Sequence, residues 1–342
     1  MGDSNANTTS YHRFKALERI GHCVVVHDPF LFCKKYLISF LGGRFHYRTG
    51  YHFLQSRIIQ FLKFINFLDV DVIWINGGEL FGKNALQYIR NLNIPTILYN
   101  NDDPTGGRDG MRFHSLLSSL PYFDLCVVMR QLNIAEFESR GAKNVIRLTM
   151  SYDEVAHKCY ENFNDIPQKY ISDVCFVGTW MKNEGRDIFL KALIDKGINI
   201  SIWGDRWEKS PHFKTLKKYY KGPSIGAKDY VAAIQGAKIC IGMLSKGNRD
   251  THTTRSFEIP YIGGLLCAER TSEHLEMFKD KEEAFFWDNA DECISICKYL
   301  LSNLHTVEQV KLAGHKKILE LKVGNEDICK KILKELSLIT HA

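Results

Sequence analysis

The sequence predicts an α/β protein made of two doubly wound domains. Its length of 342 residues exceeds what one ordinary hydrophobic core fills. Short apolar runs alternate with helical patterns, and this alternation restarts near residue 170 after a polar, irregular segment at 151–170. Alternating strands and helices form a parallel sheet covered on both faces. We therefore expect one domain at 1–155 and another at 170–320, with a C-terminal helix at 321–342 that packs back on the first domain.

In the first domain, apolar runs closed by Gly or Asn predict strands, and apolar residues at helical spacing predict helices. The predicted strands are 22–27, 70–75, 95–99, 125–129 and 145–148. The predicted helices are 11–20, 53–68, 84–92, one from about 111, and 133–139. A loop-like polar segment occupies 2–10, where such a domain normally has its first strand. That strand is either absent or lies upstream of Met1.

The second domain repeats the pattern. Its predicted strands are 173–177, 198–203, 239–244 and 265–268. Its predicted helices are 188–196, near 211–220, 228–236, 256–262 and 273–278, followed by a helical tail at 292–338. Strand–loop–helix connections in an open α/β sheet are where ligands bind.

Composition indicates a cytoplasmic globular protein. The 45 basic and 39 acidic residues give a net charge of +6, and no CxxC pair occurs among the ten cysteines. This charge suits an anionic lipid surface or a phosphorylated ligand and does not indicate nucleic acid. The polar N-terminus predicts no signal peptide, and no apolar run reaches the roughly 20 residues of a membrane span. The segment 53–68 has two interpretations, a core helix or a helix that contacts a membrane.

A polar loop between the strand 239–244 and the helix 256–262 carries the strongest functional signal. Asp250 and Glu258 lie eight positions apart in it, and Gly263-Gly264 closes the helix that follows. Two carboxylates so placed accept hydrogen bonds from several hydroxyl groups. A sugar or the ribose of a nucleotide offers such hydroxyls.

Groups that bind phosphate surround this pair in the sequence. Gly178 ends a strand and allows close approach of a ligand to the backbone, and its loop continues to Lys182 and Arg186. Arg249 and Arg255 flank the acidic pair. Thr271-Ser272 begins a helix whose first N–H groups would attract an anion. Each cation has the alternative interpretation of a solvated surface charge.

Asp102 and Asp103 follow the strand 95–99 of the first domain. Carboxylates at the carboxyl end of a parallel strand face the ligand-binding edge of the sheet. One of them would serve as a general base for an acceptor hydroxyl if the reaction inverts configuration. The alternative is a turn capped by Asn-Asp-Asp-Pro side chains.

Three segments of the second half resemble the donor domain of GT-B glycosyltransferases: 176–186, 230–240, and 250–258 with Gly263. The last is similar to the E-x7-E signature of retaining enzymes, with aspartate in the first place. Segments 47–50, 102–104 and 122–125 look like those of the CgeB-like group, so the resemblance covers most of the chain. It implies two Rossmann-like domains facing a cleft, with C-terminal helices.

The resemblance also implies residue roles. Glu258 would bind the ribose of a nucleotide-diphosphate sugar, and Asp250 would lie near the donor sugar. The acceptor would be a glycan, a lipid-linked molecule or a protein, in polysaccharide biosynthesis. We expect no cofactor and no metal. Asp69-Val-Asp71 matches the DxD metal motif of the other main glycosyltransferase fold, but it leads into a predicted strand.

Three functions remain open at this point. A glycosyltransferase is favoured, with retention slightly preferred by the motif and inversion permitted by the Asp pair. A nucleotide-sugar epimerase and a non-catalytic sugar or nucleotide binder are the alternatives. Peripheral association with the inner face of a membrane fits the basic charge, whereas nucleic acid binding does not.

Overall fold

The computed structural model describes residues 1–38 and 40–340, which fall into two compact units. The first unit comprises Met1–Thr149, Gly247–Arg249 and the chain from Glu326 onward. The second comprises Met150–Lys246 and Asp250–Asn325. The domain bounds expected from the sequence stay a prediction.

The first unit is built on a parallel sheet of order β1-β2-β3-β4. Its strands are β1 (Ile73–Asn76), β2 (Thr96–Tyr99), β3 (Leu125–Val128) and β4 (Val145–Arg147). Its helices are α1 (Thr9–Arg19), α2 (Pro29–Phe32), α3 (Lys34–Leu37), α4 (Phe40–Arg48), α5 (Gln55–Lys63), α6 (Lys83–Arg90), α7 (His114–Ser119) and α8 (Gln131–Glu138). Every residue of β1, β2 and β3 is buried, as expected for a sheet covered on both faces.

The prediction of a strand at 22–27 was wrong. These residues form no strand, and Val25 is 69% exposed. The edge of β1 is paired with Met1 instead: the Asn76 N–H donates to the Met1 carbonyl at 2.9 Å, and the Met1 amine donates to Trp74 O. Helices α2–α4 were not predicted, and the predicted helix 53–68 is a 3₁₀ turn followed by the shorter α5.

The second unit has a parallel sheet of order β10-β9-β8-β5-β6-β7. The strands are β5 (Ser172–Val177), β6 (Ile200–Trp203), β7 (Tyr220–Gly222), β8 (Ala237–Gly242), β9 (Leu266–Glu269) and β10 (Phe285–Trp287). The helices are α9 (Arg186–Asp195), α10 (Phe213–Leu216), α11 (Ala227–Gln235), α12 (Thr254–Ile262), α13 (Ser272–Met277), α14 (Ala290–Ser302) and α15 (Leu304–Leu321). The last helix of the chain, α16 (Asn325–Thr340), belongs to the first unit from Glu326 onward. The sequence did not predict β7 and β10, which have three residues each.

Strand order identifies the ligand-binding edge of the second sheet. The chain runs from β5 outward to β6 and β7, then crosses back so that β8 pairs with the other side of β5. Loops that leave the carboxyl ends of β5 and β8 therefore diverge and open a crevice between them. The loop after β5 contains Gly178 and Lys182, and the loop after β8 leads to Asp250.

Among the helices of residues 1–38 and 40–340, none has the length and apolar character required to cross a bilayer.

Candidate functional site

Helix α12 of the second unit carries Glu258, which is buried. Thr253 is the N-cap, and its N–H donates to the Ser256 hydroxyl at 3.1 Å. Gly263 ends the helix in the left-handed conformation (φ 88°), which glycine adopts without strain. The helix is anchored further by buried His274: its Nδ1 lies 2.7 Å from the Glu269 carbonyl and its Nε2 lies 2.8 Å from Ser256 Oγ.

The tautomer of His274 follows from these partners. A carbonyl oxygen only accepts, so Nδ1 carries the proton and Nε2 accepts from the serine hydroxyl. Burial lowers the pKa of His274 to about 4. The ring is therefore neutral at physiological pH and ties the first turn of α12 to the end of β9.

Glu258 is a buried carboxylate with polar partners on several sides. Its side chain is only 4% exposed. Oε2 accepts from the Tyr230 hydroxyl at 2.7 Å and from Arg255 Nη1 at 3.3 Å, while Oε1 lies 3.7 Å from His157 Nε2. Burial and the neighbouring Glu258 charge raise the pKa of Tyr230 well above its ordinary value, so the phenol stays protonated and donates. This arrangement keeps a negative charge fixed in a low-polarity site.

Arg186 is another buried charged group of this unit. It is the first residue of α9, and its Nη1 and Nη2 donate to the carbonyls of Thr179 (2.9 Å) and Leu244 (3.2 Å). These carbonyls come from the loops after β5 and β8. Burial lowers the pKa of Arg186, although the nearby carboxylates of Glu184, Glu269 and Asp250 oppose that shift.

The charges around Arg186 link the two loops of the crevice. Asp250 and Arg255 are among the groups that act electrostatically on it. Residues of two predicted segments, 178–186 and 250–258, thus interact within the second unit. Because two carbonyl oxygens fix the guanidinium, its remaining N–H groups are held in a set direction.

Gly178 lies in a closely packed position. Its N–H donates to Trp203 O at 2.9 Å, and its carbonyl accepts from Trp207 Nε1 at 2.9 Å. A Cβ at this position would lie 2.8 Å from the ring of Phe176. Lys182, four residues further along the same loop, is exposed to solvent.

Thr271 acts as the N-cap of α13. Its Oγ1 accepts from the His274 N–H at 3.0 Å and donates to Thr251 O at 2.8 Å. Ser272 is the first residue of the helix, which has only six residues. These bonds satisfy one of the N–H groups that the sequence had assigned to an anion. The assignment of Thr271 and Ser272 to phosphate stays a prediction.

Arg249 belongs to the first unit and binds two carboxylates there. Its Nε and Nη2 donate to both oxygens of Asp103 at 2.6 and 2.8 Å, and its Nη1 donates to Glu136 at 2.8 Å. Asn133 Nδ2 also donates to Asp103 at 2.9 Å. The hydrogen bond from Arg249 lowers the pKa of Glu136 to about 2. Although burial opposes the shift, Arg249 and Asn133 also hold the pKa of Asp103 below its ordinary value.

The two aspartates after β2 therefore differ in their surroundings. The Asp103 side chain is fully buried and engaged by Arg249, which makes it a weak base. The Asp102 side chain is 35% exposed and lies 3.2 Å from Arg112 Nη1. It lines a pocket of about 390 Å³ within the first unit.

This pocket lies at the carboxyl ends of β1 and β2 and beside the start of α1. Its walls carry hydrogen-bonding groups, among them Arg13, Asn76, Glu79, Tyr99, Asn101 and Asp102. Within the part of the chain that the structure describes, Ser10 Oγ, Asn76 Nδ2 and Asn101 Oδ1 are buried without a hydrogen-bond partner. Unsatisfied buried polar atoms are rare and favour a polar occupant.

Arg13 is a buried cation at the base of the same pocket. It is 4% exposed, donates from Nε to Asn76 Oδ1 at 2.8 Å, and lies 4.0 Å from the centre of the Tyr99 ring. Burial lowers the pKa of this guanidinium. None of the carboxylates in residues 1–38 and 40–340 lies within ion-pair distance of it.

Several of these residues were not predicted from the sequence. The burial of Arg13 could have been predicted, because this residue shares the helical spacing of the buried face of α1 with Ser10, Phe14 and Leu17. No local sequence pattern predicts that Tyr230 and His157 contact Glu258, because they lie 28 and 101 positions before it in the chain.

The metal motif rejected from the sequence is also exposed in the structure. Asp69 has φ 61°, and both Asp69 and Asp71 lie before β1, which begins at Ile73. The described residues contain no group of three or more His, Cys, Asp or Glu side chains arranged to hold a metal ion. Metal independence stays a prediction.

Comparison with known proteins bears on the fold and on part of the second unit. Residues 186–324, which include β6–β10 and Glu258, match the family model described as "Glycosyl transferase-like". No curated protein sequence matches the chain at a significant level.

Solved structures resemble the whole chain. Anabaena HepE in complex with UDP and glucose superimposes with a TM-score of 0.65 at 13% identity, covering 98% of this chain and 97% of HepE. Sucrose-phosphate synthase from Thermosynechococcus elongatus gives a TM-score of 0.63 at 11% identity, covering 84% and 78%.

TarM gives a TM-score of 0.59 at 11% identity. The superposition covers 82% of this chain but only 57% of the length of TarM. The chain thus has the GT-B glycosyltransferase fold, and its residues 186–324 match the glycosyl transferase-like family.

Proposed function

We propose that this protein is a glycosyltransferase that moves a sugar from a nucleotide-diphosphate donor to a hydroxyl group of an acceptor. The bond from the anomeric carbon to the diphosphate oxygen breaks, and the nucleoside diphosphate leaves with the electron pair. The acceptor oxygen forms the new bond and loses its proton. We further infer that the protein belongs to the CgeB-like group and acts in cytoplasmic polysaccharide synthesis.

One observation carries the proposal: a buried, fixed carboxylate at Glu258, inside the segment that matches the glycosyl transferase-like family. Glu258 follows Asp250 by eight positions and precedes Gly263 by five. Its 4% exposed side chain is oriented by Tyr230 and Arg255. A carboxylate held in one plane accepts both hydroxyls of a cis-diol such as ribose.

The donor diphosphate requires cations, and the second unit supplies them near that carboxylate. Arg186 is fixed by two carbonyls and lies within electrostatic range of Arg255 and Asp250. Lys182 extends from the same loop into solvent. Neutralising the diphosphate stabilises the leaving group as negative charge develops on it. Asp250, next to these cations, would contact the donor sugar.

The acceptor would bind in the pocket of the first unit. The amides, hydroxyls and carboxylates of its wall suit a hydroxylated molecule. Asp102 is a partly exposed carboxylate of this pocket and would accept a hydrogen bond from the attacking hydroxyl. Arg13 adds a positive charge that favours an acceptor with an anionic group.

Retention of configuration is slightly favoured. Inversion needs a general base near the acceptor, and Asp103 is a poor candidate because Arg249 and Asn133 lower its pKa. We also propose that no metal ion takes part. The anomeric configuration of the product, measured by NMR, decides between the two stereochemical courses.

A donor screen tests the proposal. The full chain is heated with UDP-, GDP-, dTDP- and CMP-sugars, and the shift in unfolding temperature is measured. We expect one base to stabilise the protein, by about 2.7 kcal/mol at a hundredfold excess over Kd. UDP-glucose is the first probe, since HepE binds it. If no nucleotide sugar shifts the unfolding temperature, the proposal fails.

Product analysis separates the alternatives. An epimerase changes the donor sugar when no acceptor is present, and a non-catalytic binder leaves the donor intact with every acceptor. The proposed transferase releases nucleoside diphosphate in proportion to a new glycoside.

A further inference from the structure

The net charge of the chain is concentrated in one segment. Residues 29–68 contain six Lys and Arg and no Asp or Glu. The remaining 302 residues hold 39 basic and 39 acidic residues, which is 45 minus 6 against 39, so they are neutral overall. The six cations are Lys34, Lys35, Arg44, Arg48, Arg57 and Lys63, and all are exposed.

The same segment exposes large apolar side chains. Leu41, Phe64 and Leu68 are 79, 81 and 78% exposed. Other exposed members of the segment are Leu31, Phe32, Ile38, Phe45 and Phe53. Monomeric soluble proteins scatter such side chains singly, and a cluster of them marks an interaction surface.

One side of this segment packs against the core of the first unit. Its exposed side chains therefore belong to the surface of a folded unit. Cys33, Leu54, Ile58, Phe61 and Leu62 are buried in the core of the first unit. Around them, α2 contacts α3 and α5, α3 contacts α4, and the 3₁₀ turn at His52–Leu54 contacts both α4 and α5. The exposed side chains therefore lie on the outer side of a layer whose opposite side is core.

Aromatic contacts show that the exposed side chains are neighbours across helices. Phe45 of α4 stacks on Phe53 with ring centres 5.3 Å apart. Phe32 of α2 lies 6.2 Å from Phe64, just after α5. We call the outer side of residues 29–68 the basic apolar surface.

We propose that the basic apolar surface binds an anionic lipid bilayer. Its cations would contact lipid headgroups, and its exposed Phe, Leu and Ile side chains would enter the boundary with the acyl chains. This proposal is independent of the sugar transfer and rests on charge and exposure alone.

The positive charge of the basic apolar surface favours an anionic bilayer over a second copy of the chain as its partner. A symmetric dimer through this surface would bring like cations together without one acidic residue of the segment to pair them. Within the described residues, Lys34, Lys35 and Lys63 form no ion pair. An anionic bilayer supplies the missing negative charge and an apolar layer beneath it.

Two variants separate the contributions of charge and apolar contact. Lys34→Gln/Lys35→Gln removes two cations, each contributing about fivefold in affinity, so binding should fall about 25-fold. Phe53→Ser/Phe64→Ser removes two exposed rings and should weaken binding about tenfold.

Matched controls exist in the second unit. Lys217→Gln/Lys218→Gln changes an exposed Lys-Lys pair that precedes a tyrosine, as Lys34-Lys35 does. Leu312→Ser changes a leucine that is 72% exposed on α15. Both controls should bind vesicles like the unaltered protein.

Co-sedimentation of the full chain with vesicles is the measurement. Binding to phosphatidylcholine vesicles that contain phosphatidylglycerol, lost in high salt and absent with phosphatidylcholine alone, supports the proposal. Three results would overturn it: no binding to either vesicle, equal loss in the control variants, or a dimer in light scattering that Phe53→Ser/Phe64→Ser dissociates. Unchanged thermal unfolding of each variant shows that the fold is retained.

Discussion

Replacing Glu258 by Gln should weaken binding of a ribonucleotide far more than binding of its dideoxy analogue. Gln keeps the volume of the side chain and an oxygen for the Tyr230 hydroxyl, now 2.7 Å from Oε2. It removes the charge at a site that is 4% exposed, where solvent screens little. A hydrogen bond to a charged group contributes about 1.5–3 kcal/mol, so Kd for UDP should rise roughly 10- to 100-fold.

Calorimetry with UDP and 2′,3′-dideoxy-UDP measures this directly. The dideoxy nucleotide has no ribose hydroxyls for Glu258 to accept from, so its affinity should be nearly equal for both proteins. Tyr230→Phe is the matched control, because it removes the hydrogen bond from Tyr230 to Glu258 and keeps the carboxylate. It should change both affinities only a few-fold.

Two results would refute the ribose assignment. One is an unchanged affinity of Glu258→Gln for UDP. The other is an equal loss for UDP and its dideoxy analogue, which would make Glu258 a structural group that supports the site through Tyr230 and Arg255.

Three further predictions concern the surroundings of both sites. Arg249→Met leaves the fully buried Asp103 unpaired, so urea denaturation should show a loss of about 3–5 kcal/mol, and adding Asp103→Asn should recover part of it; an unchanged midpoint would contradict this. Burial lowers the pKa of His274 from 6.5 to about 4, so as the pH falls this residue is protonated in the unfolded state before it is protonated in the folded state. The free energy of unfolding should therefore be unaffected by this group above pH 6.5 and decline as pH falls towards 4, and His274→Gln should remove that part of the pH dependence. Asp102→Asn should lower kcat/KM for the acceptor about 10- to 100-fold, from loss of a charged hydrogen bond, while calorimetry finds donor affinity unchanged; equal loss of donor affinity would speak against an acceptor role.

Periodicity alone predicted most of the parallel strands of both units, but not the three-residue strands β7 and β10. The runs that became β1–β4, β5, β6, β8 and β9 are apolar and bounded by Gly or polar residues, so their burial is encoded locally. The segment 22–27 has the same character, yet Val25 is 69% exposed, because Met1 takes the edge of β1. Tertiary competition of that kind is invisible in a window of ten residues.

The candidate site was likewise predicted only in part from the sequence. Asp250, Glu258 and Arg186 were predicted as site residues, and stay a prediction, because each lies in a loop or helix that follows a predictable strand. Their electrostatic environment was not predicted, since it depends on partners distant in sequence. Arg249 and Asp103 were predicted from the sequence as separate site residues. Their bidentate ion pair could not be predicted, because the two residues are far apart in the chain and meet only in the folded unit.

Transfer of a labelled sugar tests the central claim most directly. The full chain is incubated with the stabilising nucleotide sugar, radiolabelled in the sugar, and with glycan and lipid-linked acceptors. We predict a labelled glycoside and an equal amount of released nucleoside diphosphate, both reduced by Glu258→Gln. Intact donor with every acceptor, despite tight donor binding, would contradict glycosyl transfer and leave a binding protein on a GT-B fold.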